Sequence, residues 1–140
     1  DVYGNFALAG SIFLDSRNSS SFADVFSLLY GHHMENSQMF GDLDKYRSAD
    51  FLQQTNTGTL LVPGGRYALR VFACIVVSAS DDLIYQPLQW QADNVPAMLD
   101  RLQADALCVD QAAMDDLRTA QNLKVLCMST CSSDYTDDEE

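Results

Sequence analysis

An apolar run near the end of the chain reads Lys124-Val125-Leu126-Cys127-Met128-Ser129-Thr130-Cys131, and it places a cysteine at its far end. Much earlier, a second apolar run reads Leu28-Leu29-Tyr30-Gly31-His32-His33-Met34 and carries the only two histidines of the chain. Both runs have the composition of short strands. A thiol and an imidazole at two strand ends are what a cysteine nucleophile with an imidazole partner requires.

Length and composition predict a single domain spanning residues 1–140. The chain has 140 residues, of which 47% are hydrophobic, so it can bury a substantial core. No apolar run approaches the roughly 18 residues of a membrane-spanning helix. The sequence opens on Asp1-Val2-Tyr3-Gly4 without a signal-type segment. Any exporting or anchoring segment is therefore expected to have been removed from the N-terminal side.

The charge distribution argues against nucleic acid as a partner. The formal net charge is −12, and the eight basic residues are scattered without forming a patch. Residues 134–140 are strongly acidic and are expected to be a solvated loop or a truncated boundary, with a partner site as the alternative.

The four cysteines do not have the spacing of a metal site or of a disulfide framework. We expect Cys74 and Cys108 to be buried small apolar residues. Cys127 and Cys131 are four residues apart on a strand, or about 13 Å, which is too far for a disulfide. Since there is no CxxC motif, the sequence predicts neither a structural metal nor a cofactor.

Alternating and continuous apolar patterns predict the strands. They are a short strand within residues 6–14 followed by a polar surface loop at 15–21, a strand at 25–30, a hairpin of Thr57–Val62 and residues 67–78 joined through Pro63-Gly64-Gly65, and a last strand at 123–130. The apolar run at 71–77 is predicted to be a buried strand.

Helical spacing and capping residues predict the helices. Residues 38–54 suggest two short helices, with Ser48 capping the second. Asn94 and Asp110 are each placed to cap a further helix. The polar stretch 80–93, which holds Trp90, is assigned no element. The resulting fold class is a mixed β-barrel with inserted helices, mainly β or α+β.

Among the cysteines, Cys131 ranks first as a nucleophile because it follows the polar pair Ser129-Thr130 at a strand end, where a thiol can meet water. Of the two adjacent histidines, one can face a site while the other points away. On composition and spacing alone, ordinary surface histidines and a structural cysteine remain the alternative.

Four segments resemble the class B sortases, the cysteine transpeptidases of Gram-positive cell surfaces. They are residues 10–18, similar to the opening strand and turn, residues 29–34, similar to the catalytic-histidine strand, residues 39–46, similar to the following helix, and residues 126–131, similar to the TLxTC-type motif. Their order and spacing agree over nearly the whole chain.

The resemblance implies roles for individual residues. Cys131 attacks the threonyl carbonyl of a sorting signal, His32 is its partner, and Ser129 and Thr130 lie beside the bound substrate. Ile84 and Tyr85 are further candidates for the pocket wall. Partners are then a sorting-signal peptide and an amine of peptidoglycan or of a pilin lysine, at the extracellular face of the plasma membrane.

Two departures from the family pattern stand out. Leu126-Cys127 replaces the usual Thr-Leu before the motif, a change expected to affect packing only. The family's catalytic arginine is expected on a following strand just beyond Glu140, so the final strand is expected to be missing from this chain. Two alternatives stay open, which are an inactive sortase-like scaffold of pilus or cell-wall assembly and a papain-like cysteine peptidase.

Overall fold

The computed structural model describes residues 11–34 and 38–130. The strands are β1 Phe13–Leu14, β2 Phe26–Tyr30, β3 Thr57–Val62, β4 Gly65–Arg70, β5 Ala73–Cys74, β6 Cys108–Val109 and β7 Val125–Ser129. The α-helices are α1 Ala49–Gln54, α2 Asp82–Tyr85, α3 Val95–Asp105 and α4 Gln111–Thr119, with 3-10 helices at Gly41–Arg47 and Pro87–Gln89.

The strands of the described residues form three hydrogen-bonded sheets, and the one that positions the site has the order β1-β2-β7. In it β1 runs antiparallel to β2, whereas β2 and β7 run parallel. Phe26 lies opposite Val125, and Tyr30 lies opposite Ser129. Because successive side chains alternate between faces, this register sets which residues of the two strands share a face.

The core lies between this sheet and helices α2, α3 and α4. Its buried members from the strands are Phe26, Leu28 and Val125, and its buried members from the helices are Leu83, Ile84, Val95, Met98, Leu99, Leu102 and Met114. Complete burial of a side chain of this size contributes about 1.5–3 kcal/mol each. The amphipathic helices predicted after residues 94 and 110 are therefore confirmed, with their apolar faces directed at the sheet.

Side-chain caps start three of the α-helices, which are α1, α2 and α4. The Ser48 hydroxyl accepts from the backbone N–H of Phe51, as the sequence predicts. Asp110 caps α4 through the N–H of Ala113. Asn94 stands at the N-cap position of α3 but makes no side-chain cap bond. Its amide oxygen accepts from the N–H of Gln91 at 2.7 Å instead, so that predicted cap is wrong in its chemistry although the helix starts where expected.

The predicted hairpin is confirmed, with β3 and β4 antiparallel and Val62 opposite Gly65. Gly64 has a φ of 83°, a left-handed conformation that glycine adopts without strain. The buried strand predicted at 71–77 is wrong. Only Ala73–Cys74 pairs, and Val76 is 46% exposed. Phe72, Ile75 and Val77 pack against the core while the same segment also lines a cavity, so it is only partly buried.

Two polar segments depart from the sequence-based expectation. The stretch 80–93 contains α2 and a 3-10 helix, started by an Asp81 cap and bearing the buried residues Leu83 and Ile84. The loop at 15–21 is not wholly on the surface, since Asp15 and Asn18 are buried. Asn18 accepts from the N–H of Leu28 and donates to the carbonyl of Phe26, so its amide satisfies the backbone of β2.

The short strands and the helices between them confirm the predicted fold class, which is mainly β with inserted helices. Cys74 and Cys108, expected to be buried, are partly exposed and lie directly opposite each other on β5 and β6. Within the described ranges, no helix has the length and apolarity needed to cross a membrane.

Candidate active site

Two parallel strands end side by side at the candidate site. The last residue of β2, Tyr30, lies opposite the last residue of β7, Ser129, and the N–H of Gly31 donates to the Ser129 carbonyl at 3.1 Å. His32 follows Gly31 at this edge, and Thr130 follows Ser129. Because the two neighbouring strands run in the same direction, the residues that follow them lie at the same end of the sheet.

His32 and His33 have different surroundings. His32 is exposed and lines a cavity, and its backbone carbonyl accepts from the N–H of Phe40 at 3.1 Å. The Nε2 atom of His33 lies 2.7 Å from Oδ2 of Asp44, in the 3-10 helix Gly41–Arg47. The two adjacent histidines therefore differ, with His32 at the cavity and the His33 ring in contact with the 3-10 helix.

Gly31 is required by the close approach of Phe40. A Cβ added at Gly31 would overlap the Phe40 ring, which is itself buried. The backbone that carries His32 is thereby packed against an aromatic side chain.

Ser129 and Thr130 lie at the end of β7. The Ser129 hydroxyl is 2.9 Å from the hydroxyl of Tyr85, and both residues line the cavity together with His32. The Thr130 hydroxyl is buried and has no hydrogen-bond partner among the described residues. Cys131, the predicted nucleophile, lies outside the described residues.

The two further candidates for the pocket wall differ in their environments. Ile84 is only 5% exposed and belongs to the core, although it also borders the cavity. Tyr85 is partly buried, and its ring stacks on Tyr30 with centroids 6.4 Å apart and an interplanar angle of 13°.

The cavity has a volume of about 1520 Å³. It is bordered by the β2 and β7 edge on one side and on the other by the β3–β4 hairpin and the 71–77 segment, through residues such as Leu60, Tyr67, Leu69 and Phe72.

An ionic network missed by the sequence analysis stands beside the two tyrosines. Asp15 accepts from Arg17 Nε and Nη2, both at 2.9 Å, and from the hydroxyl of Tyr30 at 2.8 Å. The guanidinium bond to Asp15 is the largest influence holding the pKa of that carboxyl far below its usual range, while burial raises the pKa of Tyr30 to about 12. The sequence feature that could have predicted this network is the spacing of Asp15 and Arg17 directly after β1.

The described cysteines are weak nucleophiles. Burial raises the pKa of Cys74 to about 11 and that of Cys127 to about 12, and it also raises the pKa of Cys108. A thiol acts as a nucleophile through its thiolate, so these three are poorly suited to attack. Within the described ranges, no group of three or more His, Cys, Asp and Glu residues is arranged to hold a metal ion.

Comparison with known proteins gives the same family through sequence and through structure. The chain is 34% identical to the crystal structure of sortase B from the type II pilus of Streptococcus pneumoniae, with a TM-score of 0.75, and the match covers 91% of this chain and 70% of that one. This chain belongs to the class B sortases. The resemblance identified from the four sequence segments is confirmed.

Further class B sortases match at similar levels. A Streptococcus pyogenes class B sortase involved in pilus biogenesis superposes with a TM-score of 0.80 at 29% identity, covering 99% of this chain and 71% of that one. Sortase B of Listeria monocytogenes is 30% identical over 130 residues, 91% of this chain and 50% of that protein. The chain thus spans about half the length of the curated sortases it matches. No family model matches the sequence.

Proposed function

We propose that this sortase chain forms the catalytic part of a cysteine transpeptidase of pilus or cell-wall assembly, and that residues 1–140 act as one catalytic domain. The observation that carries the proposal is the parallel pairing of β2 with β7, in which Tyr30 opposes Ser129. In support of the proposal, His32 follows the end of β2 at the edge where β7 also ends, and Cys131 comes directly after Thr130 in the sequence. The substrate would be the sorting-signal peptide of a surface protein or pilin.

The first half-reaction is acyl transfer to the enzyme. The Cys131 thiolate attacks the carbonyl carbon of the sorting-signal threonine, and a C–S bond forms. As the tetrahedral intermediate collapses, the C–N bond breaks and protonated His32 donates its proton to the departing amine. A thioester between the threonine and Cys131 remains.

The second half-reaction reverses these roles. An amine of peptidoglycan or of a pilin lysine attacks the thioester carbon while neutral His32 accepts its proton. The C–S bond breaks, Cys131 leaves as the thiolate, and a new amide joins the two partners. Ser129 and Thr130 lie at the strand edge where the peptide would bind, and Tyr85 and Ile84 form part of the wall.

The identities of the relatives support an assignment to the cell surface. The two streptococcal relatives are described as a type II pilus sortase and as a sortase involved in pilus biogenesis. By analogy, we place this enzyme at the extracellular face of a Gram-positive plasma membrane, held there by a segment on the N-terminal side. Neither half-reaction uses a metal or a cofactor.

The decisive test is transfer, measured by mass spectrometry with a sorting-signal peptide and triglycine. The enzyme is expressed together with whatever natural sequence flanks residues 1–140. The expected result is a triglycine adduct, with Cys131→Ala losing all transfer and His32→Ala losing about 10²–10⁴-fold in rate. His33→Ala is the matched control and should retain most activity because that ring contacts Asp44.

The other outcomes identify the competing functions. If the peptide is hydrolysed and no triglycine adduct forms, the protein is a peptidase. A folded protein that binds the peptide but gives neither product would identify an inactive scaffold. Equal losses in the His32 and His33 variants would overturn the assignment of His32.

A further inference from the structure

We infer that Arg17 is a positioning residue of this active site. It ties the end of α2 to the turn after β1, and so holds the Tyr85 hydroxyl against Ser129 at the catalytic edge. The inference rests on the proposed function and adds a residue that acts through another instead of touching the substrate.

The Arg17 guanidinium bridges two distant segments of the chain. It bonds both oxygens of Asp15 at 2.9 Å, and its Nη2 also donates to the Tyr85 carbonyl at 2.9 Å. Its Nη1 donates to Oε1 of Gln86 at 3.1 Å. The contacts to residues 85 and 86 span more than sixty positions of sequence, so they are a tertiary clamp.

Asp15 is the fixed end of the clamp. Its side chain is only 7% exposed, and its backbone N–H donates to the Leu28 carbonyl at 2.8 Å. The carboxylate also accepts from the Arg17 backbone N–H and from the Tyr30 hydroxyl. Separating a buried carboxylate from its guanidinium partner is costly, so Arg17 stays where Asp15 holds it.

The bonding of Arg17 argues against direct action on the substrate. A guanidinium has five N–H hydrogens, and here Nε uses one, Nη2 uses two and Nη1 uses one for protein acceptors. A side chain that stabilises an oxyanion needs free donors aimed at the reacting oxygen. Arg17 directs nearly all of its donors to Asp15, Tyr85 and Gln86.

The held segment has little stability of its own. The helix α2 has only four residues, and helices of this length do not persist without tertiary contacts. Its last carbonyl, that of Tyr85, lacks an intrahelical partner and is satisfied by Arg17. From there the Tyr85 ring stacks on Tyr30 and its hydroxyl reaches Ser129, so the clamp sets the position of a hydroxyl at the site.

The experiment compares Arg17→Gln and Arg17→Lys with Arg118→Gln, which removes an exposed ion pair to Asp100 on α3. Hydrogen exchange of residues 82–90 is followed by mass spectrometry, together with the fluorescence of Trp90, the only tryptophan, whose ring N–H donates to the Leu83 carbonyl. We expect about tenfold faster exchange in Arg17→Gln, a smaller change in Arg17→Lys and none in the control.

Kinetics separate positioning from a general structural role. Arg17→Gln should raise KM for the peptide several-fold while the rate of Cys131 alkylation stays unchanged. In a double-mutant cycle with Tyr85→Phe, the combined loss should be no larger than the larger single loss, because both changes disable one hydroxyl contact. Additive losses would overturn the inference.

Two further arms keep the result unambiguous. If Arg17→Gln does not fold, the double variant Asp15→Asn/Arg17→Gln, which leaves no buried charge, replaces it. If the wild-type enzyme transfers nothing, the proposed function fails, whereas the exchange and fluorescence measurements still decide the clamp. If hydrogen exchange in Arg17→Gln is unchanged while the wild-type enzyme is active, the clamp is refuted and the proposed function is not.

Discussion

At the scale of single residues, the four cysteines differ through their surroundings. Cys127 on β7 opposes Leu28 on β2, and Cys74 on β5 opposes Cys108 on β6. Burial disfavours the thiolate in each, since a charge loses its hydration when it leaves water. Chemical reactivity is therefore expected to be concentrated at Cys131.

We predict selective alkylation of Cys131 by iodoacetamide near neutral pH. With a pKa of about 11, the Cys74 thiol is almost entirely protonated there, and Cys127, with a pKa of about 12, even more so. Peptide mapping after timed labelling should show one rapidly modified site, and the other three should react only after unfolding in urea.

The variant Cys131→Ala is the control for this measurement and should lose the rapid phase entirely. Equal rates at all four cysteines, or a rapid phase that survives in Cys131→Ala, would contradict the assignment of the nucleophile.

At the scale of elements, short helices depend on their capping residues and on tertiary contacts. Asp110 shows both, since its carboxylate accepts from the Ala113 N–H at 3.2 Å and from the Asn56 amide at 2.8 Å. It is only 4% exposed, and its bond to the Ala113 N–H is the largest influence lowering the pKa of the carboxyl. One side chain thus starts α4 and links it to the segment before β3.

We predict that Asp110→Ala lowers the free energy of unfolding by about 1–3 kcal/mol, because α4 loses its cap and Asn56 loses its acceptor. Urea denaturation followed by circular dichroism measures the effect. Asp110→Asn preserves an acceptor oxygen and should lose less.

Asp116→Ala is the control, because its ion pair with Arg70 lies on the surface, with the Asp116 side chain 73% exposed. Such a pair contributes at most about 1 kcal/mol. If Asp110→Ala and Asp116→Ala destabilise equally, Asp110 has no special role in starting α4.

At the scale of the whole molecule, acidic residues outnumber basic ones by twenty to eight. The described ion pairs include Arg118 with Asp100 and Arg101 with Asp81 and Asp105, all involving exposed or partly exposed side chains. Each surface pair adds little, so the repulsion within a chain of net charge −12 should dominate the response to salt.

We predict that the melting temperature rises by a few degrees between about 10 mM and about 0.3 M NaCl, because salt screens this repulsion. Differential scanning calorimetry measures it. Replacing the acidic residues of 134–140 with their amides should reduce the rise. A melting temperature that falls with salt would mean that the ion pairs outweigh the repulsion.

Much of the local structure was predictable from the sequence. The Pro63-Gly64 turn and the caps at Ser48 and Asp110 act through bonds within a few residues, so spacing alone reveals them. The apolar run at 71–77 misled the strand prediction because apolar composition does not show how many residues of a segment will pair with another strand.

From the sequence we could predict a cysteine after one apolar strand and an imidazole after another, because each lies within a short local motif. The folded chain was needed to show that β2 and β7 run parallel with Tyr30 opposite Ser129, and that Arg17 bonds the carbonyl of Tyr85. Contacts between distant segments depend on how strands pair and how buried polar groups find partners across the fold, and no local spacing records those choices.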